Sequence, residues 1–449
     1  MSSSIPTTMK AWQFSQTTGG IEKNLKLNNT APLPPNANSL AADQVLVQVL
    51  SSTLNPVDYK FAQLPILGNL IIKKPASPAL DFAGRVVASG ANSKKVSTED
   101  LKPGQLVFGK LDAPTQYGTL AEYTIAPRSG CVPLPQGVSL DDAACIGTAA
   151  LTAYQCIVPN IKSGDRVFIN GGSGGVGSFG IQLAKVKGCY VATSCSSVNV
   201  ELCKSLGADQ VIDYKSKDIV AELKKMQKFD LIVDNVGTPS ELYWQCHDFT
   251  HTGTKYVQVG GGLSLGEIYS LLSRMMWPGF LGGGKRPFQF LGTANNSDHL
   301  KEIAQWMAQG KVKALVDEVY GMEDKGPIRA FERLKTGRAK GKIVGDTIIG
   351  SLDLLAQTLH HSLHAVRDLC VAARIRTAIF YCTIYLPDSS RERGRQAAGW
   401  FDDLILDEGI TDMQSLILSC PKVLRDGPRQ GQTEYVKLMD GYECQVWER

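Results

Sequence analysis

The sequence predicts an α/β protein in which a β-rich segment precedes a domain built on a doubly wound parallel sheet. Three observations support this prediction. Short strand-like runs separated by turns fill residues 9–130, strands and helices alternate over residues 141–290, and a glycine-rich loop joins a strand to a helix within residues 166–187. Alternation of this kind is typical of a parallel sheet with helices on both faces.

In the β-rich segment, residues 9–30 alternate enough to predict a hairpin. Gln44–Leu50, QVLVQVL, alternates strictly, which predicts a half-buried strand of an antiparallel sheet. A turn is expected over Ser51–Tyr59, because Asn55-Pro56 favours one. Further short strands are predicted at residues 85–88 and 106–108.

The alternating segment begins with a helix predicted over residues 141–157. Strands are then predicted at residues 166–170, 189–195, 210–212, 229–233 and 255–259, with helices at 178–187, 199–206 and 217–227. Helices at 298–310 and 326–335 and a strand at 342–349 complete the β-rich part. The predicted domains are therefore residues 1–140 together with 291–350, and residues 141–290.

The glycine-rich loop has the form of a phosphate-binding device. Arg166–Gly177 reads RVFINGGSGGVG, and Gly172-x-Gly174-x-x-Gly177 fits the dinucleotide fingerprint between a strand and a helix. Glycines let the backbone approach a pyrophosphate, whose charge the helix N-terminus stabilises. A flexible Gly/Ser linker is the alternative, but a linker would not be flanked by a buried-type strand and an amphipathic helix.

The end of the second strand of this domain predicts which nucleotide binds. In this motif an acidic residue about 20 positions past the glycines holds the ribose hydroxyls of NAD, whereas here Thr193–Asn199, TSCSSVN, contains no carboxylate. A 2′-phosphate would meet the hydroxyls of Ser196 and Ser197 instead of a like charge. The sequence therefore predicts NADPH rather than NADH. Tyr214 either reaches the same phosphate or packs on the sheet.

Composition excludes several other classes. The chain has 449 residues, 43% hydrophobic and 20% charged, and a net charge of +4, which does not suggest nucleic-acid binding. Eleven cysteines without a CxxC pair favour a reducing compartment, so we expect a cytoplasmic protein. The N-terminus shows no targeting signal, and no apolar run is long enough to predict a membrane span.

The positions of cysteine and histidine predict an enzyme that needs no metal. The first cysteine is Cys131 and the first histidine is His247, so the β-rich segment before them lacks the usual soft zinc ligands. The closely spaced cysteines of a structural zinc site are also missing. Cys145, Cys156 and Cys203 fall in apolar patterns and are expected in the core.

A further segment, residues 351–449, carries no recognisable chemistry. Leucines at helical spacing over residues 352–363 predict a helical extension, and a weakly ordered extension fits the composition as well. A partner-binding element is the functional alternative.

Ordered motifs along residues 9–350 resemble the medium-chain dehydrogenase/reductase superfamily. The matching stretches are NPVD at 55–58, PALDFAG at 78–84, GTLAEY at 118–123, GTAALTA at 147–153, the glycine loop, LGAD at 206–209, FDLIVDNVG at 229–237 and GKIV at 341–344. Within the superfamily the chain is similar to the zinc-independent quinone oxidoreductase and enoyl reductase branch, including fungal reductases that act in trans with polyketide synthases.

The resemblance implies a GroES-like domain closed over a Rossmann domain, with the nicotinamide in the cleft between them. It implies four groups of cofactor-binding residues: Asn55, Pro56, Val57 and Asp58 near the nicotinamide end; Ser173, Gly174, Gly175 and Val176 at the pyrophosphate; Ser196, Ser197, Val198, Asn199 and Tyr214 at the 2′-phosphate; and Val259 and Gly260 flanking the nicotinamide. Lys342, with Arg338 and Lys340, matches a basic cluster.

Each of these assignments has an alternative. Asn55 and Asp58 could act only as turn caps, and the basic cluster could be a solvated charged turn. Val198 stands where relatives often carry a lysine.

The implied reaction is NADPH-dependent reduction of an activated carbon–carbon double bond or a quinone. Hydride would pass to the β carbon of an α,β-unsaturated carbonyl, small or carrier-bound, and Tyr59 is a candidate proton donor or simply a packing aromatic. The apolar stretch 268–284 is expected to line a pocket or an interface. The rivals are a zinc-free alcohol or aldehyde dehydrogenase and a non-catalytic NADPH-binding scaffold. The family also implies a homodimer.

Overall fold

The structure, a computed structural model, describes residues 5–64, 67–91, 101–262, 264–277, 283–323, 325–346, 433–438 and 442–447. The chain divides into two compact units, Met1–Leu355 and Ala356–Arg449. The predicted helical spacing of residues 352–363 lies outside the described residues.

The N-terminal part is β-rich, as predicted. Its elements are β1 (Thr8–Gln13), β2 (Lys26–Pro32), β3 (Gln44–Leu54), α1 (Pro56–Lys60), α2 (Leu67–Ile71), β4 (Asp81–Ser89), β5 (Leu106–Lys110), β6 (Tyr123–Pro127) and β7 (Cys131–Pro133). β1 and β2 pair antiparallel, which confirms the predicted hairpin.

β3 differs from its prediction in length and in burial. It runs to Leu54, so the turn begins at Asn55 and not at Ser51, and most of its residues on both faces are buried. The strand has a neighbour on each side along its length, because it pairs with β4 and β6 and its end pairs with the last strand of the sheet. The hydroxyls at the end of this strand are satisfied inside the protein, since Ser52 Oγ forms a hydrogen bond with Thr119 Oγ1 at 2.7 Å and Thr53 donates to Asp81 Oδ2 at 3.0 Å.

The central part alternates between helices and strands. Its elements are α3 (Leu140–Ala144), a π-helical turn (Ile146–Ala150), α4 (Leu151–Ile157), β8 (Arg166–Asn170), α5 (Gly175–Val186), β9 (Tyr190–Cys195), α6 (Val200–Ser205), β10 (Gln210–Asp213), α7 (Ile219–Lys224), β11 (Phe229–Asp234), α8 (Glu241–Trp244), β12 (Thr250–Gln258), α9 (Leu265–Met276) and β13 (Phe288–Phe290). The six strands form one parallel sheet in the order β10-β9-β8-β11-β12-β13. This is the doubly wound order and confirms the predicted fold class.

The chain then returns to the first sheet through α10 (Ser297–Ala308), β14 (Val316–Gly321), α11 (Gly326–Lys335) and β15 (Lys342–Asp346). β15 pairs antiparallel with the end of β3, and the sheet has the order β14-β15-β3-β4-β5-β7, with β6 on β3. β14 has no counterpart in the prediction. Residues 347–349 of the predicted last strand lie outside the described residues.

One apolar core joins the two sheets of the Met1–Leu355 unit. Phe108 and Val132 from the first sheet pack in the same buried cluster as Phe179 and Leu183 of α5 and Leu300 of α10. The three cysteines expected in the core, Cys145, Cys156 and Cys203, are fully buried. Among the described residues, every helix is too short or too polar to cross a membrane.

In the second unit, the described residues form a β-hairpin. β16 (Thr433–Leu438) and β17 (Tyr442–Trp447) pair antiparallel, with Thr433 opposite Trp447.

Candidate functional site

The glycine loop lies between β8 and α5, at the carboxyl edge of the parallel sheet. Two of its glycines are required by packing. A Cβ on Gly172 would lie 2.1 Å from Thr193 Oγ1, and one on Gly177 would lie 2.2 Å from the Gly171 carbonyl oxygen. α5 begins at Gly175, three residues before its predicted start, because the glycines of its first turn have low helix propensity and mask the pattern.

The middle glycine of the fingerprint, Gly174, faces open space. Gly174 is the N-cap of α5, and no side chain among the described residues caps this helix end. A Cβ on Gly174 would meet only the Gly171 carbonyl oxygen, at 3.7 Å. The first turn of a helix leaves backbone N–H groups without intrahelical partners. The loop therefore fits a pyrophosphate, because it offers N–H donors and an unobstructed approach.

The same loop touches the return strand of the other sheet. Gly341 N donates to Ser173 O at 3.0 Å, and Gly174 and Gly341 form a β-bridge. The predicted pyrophosphate loop and the predicted basic residue Lys342 are thus brought together where the two sheets meet.

The loop after β9 is tied to the glycine loop. Asn199 Nδ2 donates to Ser173 Oγ at 3.0 Å and to Ser196 Oγ at 3.3 Å. Val198 is 80% exposed and Tyr214 is 48% exposed, so both side chains are accessible at this edge. The exposed Val198 and Tyr214 and the buried Asn199 therefore lie at the same edge of the sheet.

A carboxylate also lies at this edge, which the sequence analysis missed. Asp213 ends β10, and Ser197 Oγ donates to its Oδ2 at 2.7 Å. The absence of an acidic residue from 193–199 therefore does not mean that the edge lacks negative charge. Asp213 could have been found from its position directly before Tyr214 at a strand end.

Asn55 and Asp58 cap α1 reciprocally. The Asn55 side chain accepts from the Asp58 backbone, and Asn55 N donates to Asp58 Oδ2 at 2.6 Å. Both side chains are buried. Burial, followed by the charge of Asp81, raises the pKa of Asp58 to about 8. Asp58 Oδ1 lines a small pocket with Ser77, and neither it nor Ser77 Oγ has a partner among the described residues.

Asn55 also belongs to a buried polar network that the sequence analysis did not assemble. Asp81, with no exposed surface, accepts from Asn55 Nδ2 at 2.7 Å and from Thr148 Oγ1 at 2.5 Å. Lys342 Nζ lies 3.2 Å from Asp81 Oδ2 and donates to Asn55 Oδ1 and to the Leu54 carbonyl. Lys342 is only 2% exposed, so it is not part of a solvated turn. The network fixes the start of α1.

The two residues that end α1 point to different surroundings. Tyr59 is half-buried against the core that contains Trp12 and Phe331, and the Lys335 ammonium lies 5.8 Å from its ring centre. Burial and the charge of Glu22 raise the pKa of Tyr59. These contacts support the packing role of this aromatic.

Lys60 instead reaches the parallel-sheet part, a contact that the sequence analysis missed. Its Nζ donates to the Gly261 carbonyl oxygen at 2.7 Å, directly after the predicted nicotinamide-flanking pair Val259-Gly260. Burial lowers the pKa of Lys60, and the nearby Glu267 opposes that shift. Lys60 thus joins the α1 turn to the end of β12.

The end of β12 is closely packed. A Cβ on Gly260 would lie 1.9 Å from the Asn235 carbonyl oxygen, so the chain passes directly over the loop after β11. Arg274 of α9 is buried and anchors this region, donating to Gln258 Oε1 at 2.6 Å and to the Gly237 carbonyl at 3.0 Å. α9 is therefore fixed beside the predicted nicotinamide site.

α9 exposes much of its apolar surface. Exposed positions of the predicted wall 268–284 are Ile268, Tyr269, Leu272, Met275, Met276 and Trp277. Residues 278–282 of that stretch lie outside the described residues.

Within the part of the chain that the structure describes, no three His, Cys, Asp or Glu side chains come together as a metal site. Burial raises the pKa of Cys156 to about 12 and that of Cys145 still further, so these thiols stay neutral.

Known proteins match this chain in sequence and in fold. A model described as an alcohol dehydrogenase GroES-like domain matches residues 41–136, and a zinc-binding dehydrogenase model matches residues 206–344. A trans-enoyl reductase of Aspergillus terreus is 58% identical over 347 residues, covering 77% of this chain and 98% of its own length. An NADPH-dependent alkenal/one oxidoreductase of Arabidopsis thaliana is 33% identical over 355 residues, covering 76% of this chain and 80% of its own length.

Among solved structures, the quinone oxidoreductase from Coxiella burnetii has a TM-score of 0.63 and 28% identity, covering 76% of this chain and 99% of its own. These relatives cover 76% to 77% of this chain, and the GroES-like and dehydrogenase models agree with its two-sheet fold. The chain therefore belongs to the medium-chain dehydrogenase/reductase superfamily, of which it is a reductase that uses a nicotinamide cofactor.

Proposed function

We propose that this protein reduces an activated carbon–carbon double bond, in an enone or enoyl thioester, or a quinone, with NADPH as the hydride source. The observation that carries the proposal is the open face of Gly174 at the start of α5, directly beside the return strand at Gly341. The relatives named trans-enoyl reductase and alkenal/one oxidoreductase support this substrate class.

The chain's own residues hold the cofactor at three places. Ser173, Gly174, Gly175 and Val176 would bind the pyrophosphate; Ser196 to Asn199 and Tyr214 would bind the adenosine ribose and its 2′-phosphate. Asn55 to Asp58, Val259 and Gly260 would bind the nicotinamide end, where Lys342 would act through its hydrogen bond to Asn55. When bound, a reduced nicotinamide supplies a hydride. The buried Asp81–Lys342 network keeps α1 in one position at that end.

A proton must also reach the substrate, and α1 offers two donors. Lys60 is directed toward Gly261, and burial lowers its pKa, which makes the ammonium a stronger acid than an exposed lysine. An ammonium at this position also stabilises the enolate oxygen electrostatically. Tyr59, whose pKa is raised, is the second candidate.

Substitution at these two positions separates the candidates. If Lys60 donates, Lys60→Met lowers kcat at least about tenfold, whereas Tyr59→Phe leaves it unchanged. Lys60→Arg is the matched control, since it keeps the charge and the contact with Gly261. A tenfold loss in Tyr59→Phe with normal turnover in Lys60→Met would assign the role to Tyr59.

We further propose that catalysis is independent of zinc, because cysteine and histidine are both lacking before Cys131. Alcohol oxidation in this superfamily depends on zinc, which disfavours the alcohol dehydrogenase rival. Loss of activity on treatment with a chelator, together with stoichiometric zinc, would contradict this proposal.

The relatives' name suggests a partner as well as a substrate. We propose that a carrier-bound unsaturated acyl group delivered by a polyketide synthase is a substrate, and that the protein forms a homodimer in the cytoplasm. The seven cysteines described between Cys131 and Cys246 are all free, as in a reducing compartment. Analytical ultracentrifugation tests the dimer.

The first experiment measures NADPH consumption with a quinone, a medium-chain enone, an enoyl thioester and an aldehyde. Turnover on one of the first three, unaffected by chelator, supports the reductase and selects its substrate class. Turnover on the aldehyde alone would favour the dehydrogenase rival. Tight NADPH binding without turnover on any, including a carrier-bound enoyl group, would favour the scaffold.

A further inference from the structure

The carboxyl edge of the parallel sheet holds two strand ends side by side. β9 and β10 run parallel with Asp213 opposite Cys195, and Tyr214 N donates to the Cys195 carbonyl at 3.1 Å. Asp213 therefore lies next to the loop 196–199, which begins one residue after Cys195. In this fold the adenosine ribose lies at the end of the second strand.

Asp213 is held in its position by three donors. Ser197 Oγ and Ser216 Oγ donate to Asp213 Oδ2 at 2.7 and 3.0 Å, and Lys215 N donates to Oδ1 at 3.0 Å. The hydrogen bond from Ser197 is the largest of several that lower the pKa of Asp213, so the group is charged at neutral pH. A serine hydroxyl can donate one hydrogen bond, and here Asp213 accepts it.

We propose that Asp213 sets the balance between NADPH and NADH, because it accepts the hydrogen bond of the Ser197 hydroxyl and places a negative charge beside a 2′-phosphate. The inference rests on the proposed use of a nicotinamide dinucleotide. It makes Asp213 a specificity-determining residue in a motif where the usual acidic position, at the end of the second strand, is occupied by serines. A ribose 2′-hydroxyl carries no charge and is not repelled.

Positive charge at the same edge opposes this effect only in part. The Lys215 ammonium lies 5.5 Å from the ring centre of Tyr214. Lys217 already pairs with Glu222, 3.8 Å away. Asp213 is thus a negative charge between two predicted phosphate ligands, Ser197 and Tyr214.

Asp213→Asn separates the charge from the turn, since an asparagine Oδ1 still accepts from Lys215 N. The Kd values of NADPH and NADH are measured by nucleotide fluorescence, without substrate, at low and high salt. We expect Asp213→Asn to lower the Kd of NADPH about three- to fivefold at low salt, within the range of exposed charge pairs, and to leave that of NADH unchanged.

Two further variants make the test specific. Glu201→Gln removes the same charge from an 84% exposed side chain of α6 and should change neither Kd. Ser197→Ala should raise the Kd of NADPH more in the Asp213→Asn background, where the hydroxyl is released toward the 2′-phosphate, than in the native chain, where the hydroxyl donates to Asp213. Equal effects of Ser197→Ala in both backgrounds would overturn the role of Ser197.

An unchanged ratio of the two Kd values in Asp213→Asn, with both nucleotides still bound, would overturn this inference alone. Absence of binding of both nucleotides to the native chain would overturn the cofactor assignment and the inference together. Asp213→Ser, which is also neutral, serves the same test if the asparagine variant does not fold.

Discussion

At the scale of single residues, the buried pair Asp81–Lys342 connects distant parts of the chain. Asp81 begins β4 and Lys342 begins β15, and both side chains are almost completely buried. Each has further partners, because Asp81 accepts from Thr53, Asn55 and Thr148 and Lys342 donates to the Leu54 carbonyl. A buried pair satisfied in this way tolerates loss of both charges better than loss of one.

We therefore expect Asp81→Asn to lower the free energy of unfolding by about 3–5 kcal/mol, because it leaves a buried ammonium without its counter-ion. Urea unfolding measures the effect. The double variant Asp81→Asn, Lys342→Met should recover part of the loss. A double variant less stable than Asp81→Asn would show that the Lys342 contacts with Asn55 and Leu54 outweigh the ion pair.

The raised pKa of Asp58 predicts a pH dependence of stability. The pKa is raised from 3.8 to about 8, so the folded chain keeps a proton that the unfolded chain releases. The stabilisation that the protonated Asp58 side chain contributes is fully present below pH 3.8 and is lost as the pH rises toward 8. As the pH rises through this window, the free energy of unfolding of Asp58→Asn should therefore increase relative to that of the native chain, by up to about 1.4 kcal/mol per pH unit.

Urea unfolding of both proteins from pH 5 to pH 8 measures the difference between their free energies of unfolding. Asparagine keeps an acceptor for the Asn55 backbone N–H and resembles the neutral acid, so the comparison isolates ionisation. Parallel curves for the two proteins would mean that Asp58 ionises alike in the folded and unfolded states.

At the scale of elements, the fingerprint glycines serve two separate purposes. Gly172 and Gly177 are required by packing. A Cβ on Gly172 would lie 2.1 Å from Thr193 Oγ1, and one on Gly177 would lie 2.2 Å from the Gly171 carbonyl oxygen, so both would clash. Gly174 is not required by packing, since its Cβ would face open space. We therefore propose that Gly174 keeps the helix N-terminus open to a ligand.

We expect Gly174→Ala to keep the melting temperature of the cofactor-free protein while raising the Kd of NADPH about tenfold or more, the effect of one obstructed N–H contact to a charged group. Gly177→Ala, the matched comparison, should lower both melting temperature and affinity, because the first turn of α5 must shift. Equal melting temperatures for the two variants would contradict the packing argument for Gly177.

The sequence predicted the elements well where one periodicity persists, as in the first five strands of the parallel sheet, and it missed the short sixth strand, β13. It failed where polar residues are buried with partners far along the chain. The turn predicted over Ser51–Tyr59 begins too early, because the hydroxyls of Ser51, Ser52 and Thr53 are satisfied in the sheet by Asp141, Thr119 and Asp81, which lie 28 to 90 positions away. Asp213 was missed for a related reason, since only strand pairing brings it to Ser197.

At the scale of the whole molecule, the reductase site depends on both sheets at once. Gly341, directly before β15 of the first sheet, donates a hydrogen bond to Ser173 of the glycine loop, and Lys60 donates one to Gly261 after β12. Residues of the first sheet and its α1 turn therefore contact the edge of the parallel sheet at two places. A single core that contains Val132, Phe179 and Val344 holds these edges in register. The site should therefore respond to changes in β15 even though most of its predicted ligands lie elsewhere.

The unit Met1–Leu355 should fold and work without the residues that follow it. It contains every element of both sheets and every predicted site residue, and the Aspergillus terreus relative is covered over 98% of its length by 77% of this chain. A chain ending at Leu355 is expected to keep its turnover and to melt within about 4 °C of the full chain.

A chain ending at Lys340 is the matched control, because it also lacks β15 and with it Lys342 and the core residue Val344. Loss of Lys342 leaves the buried Asp81 carboxylate unpaired, so this shorter chain should not fold cooperatively. Calorimetry and NADPH turnover on the same panel of substrates compare the three chains. If the chain ending at Leu355 lost turnover or aggregated while the full chain did not, residues 356–449 would contribute to the reductase itself, and the independence of the first unit would be wrong.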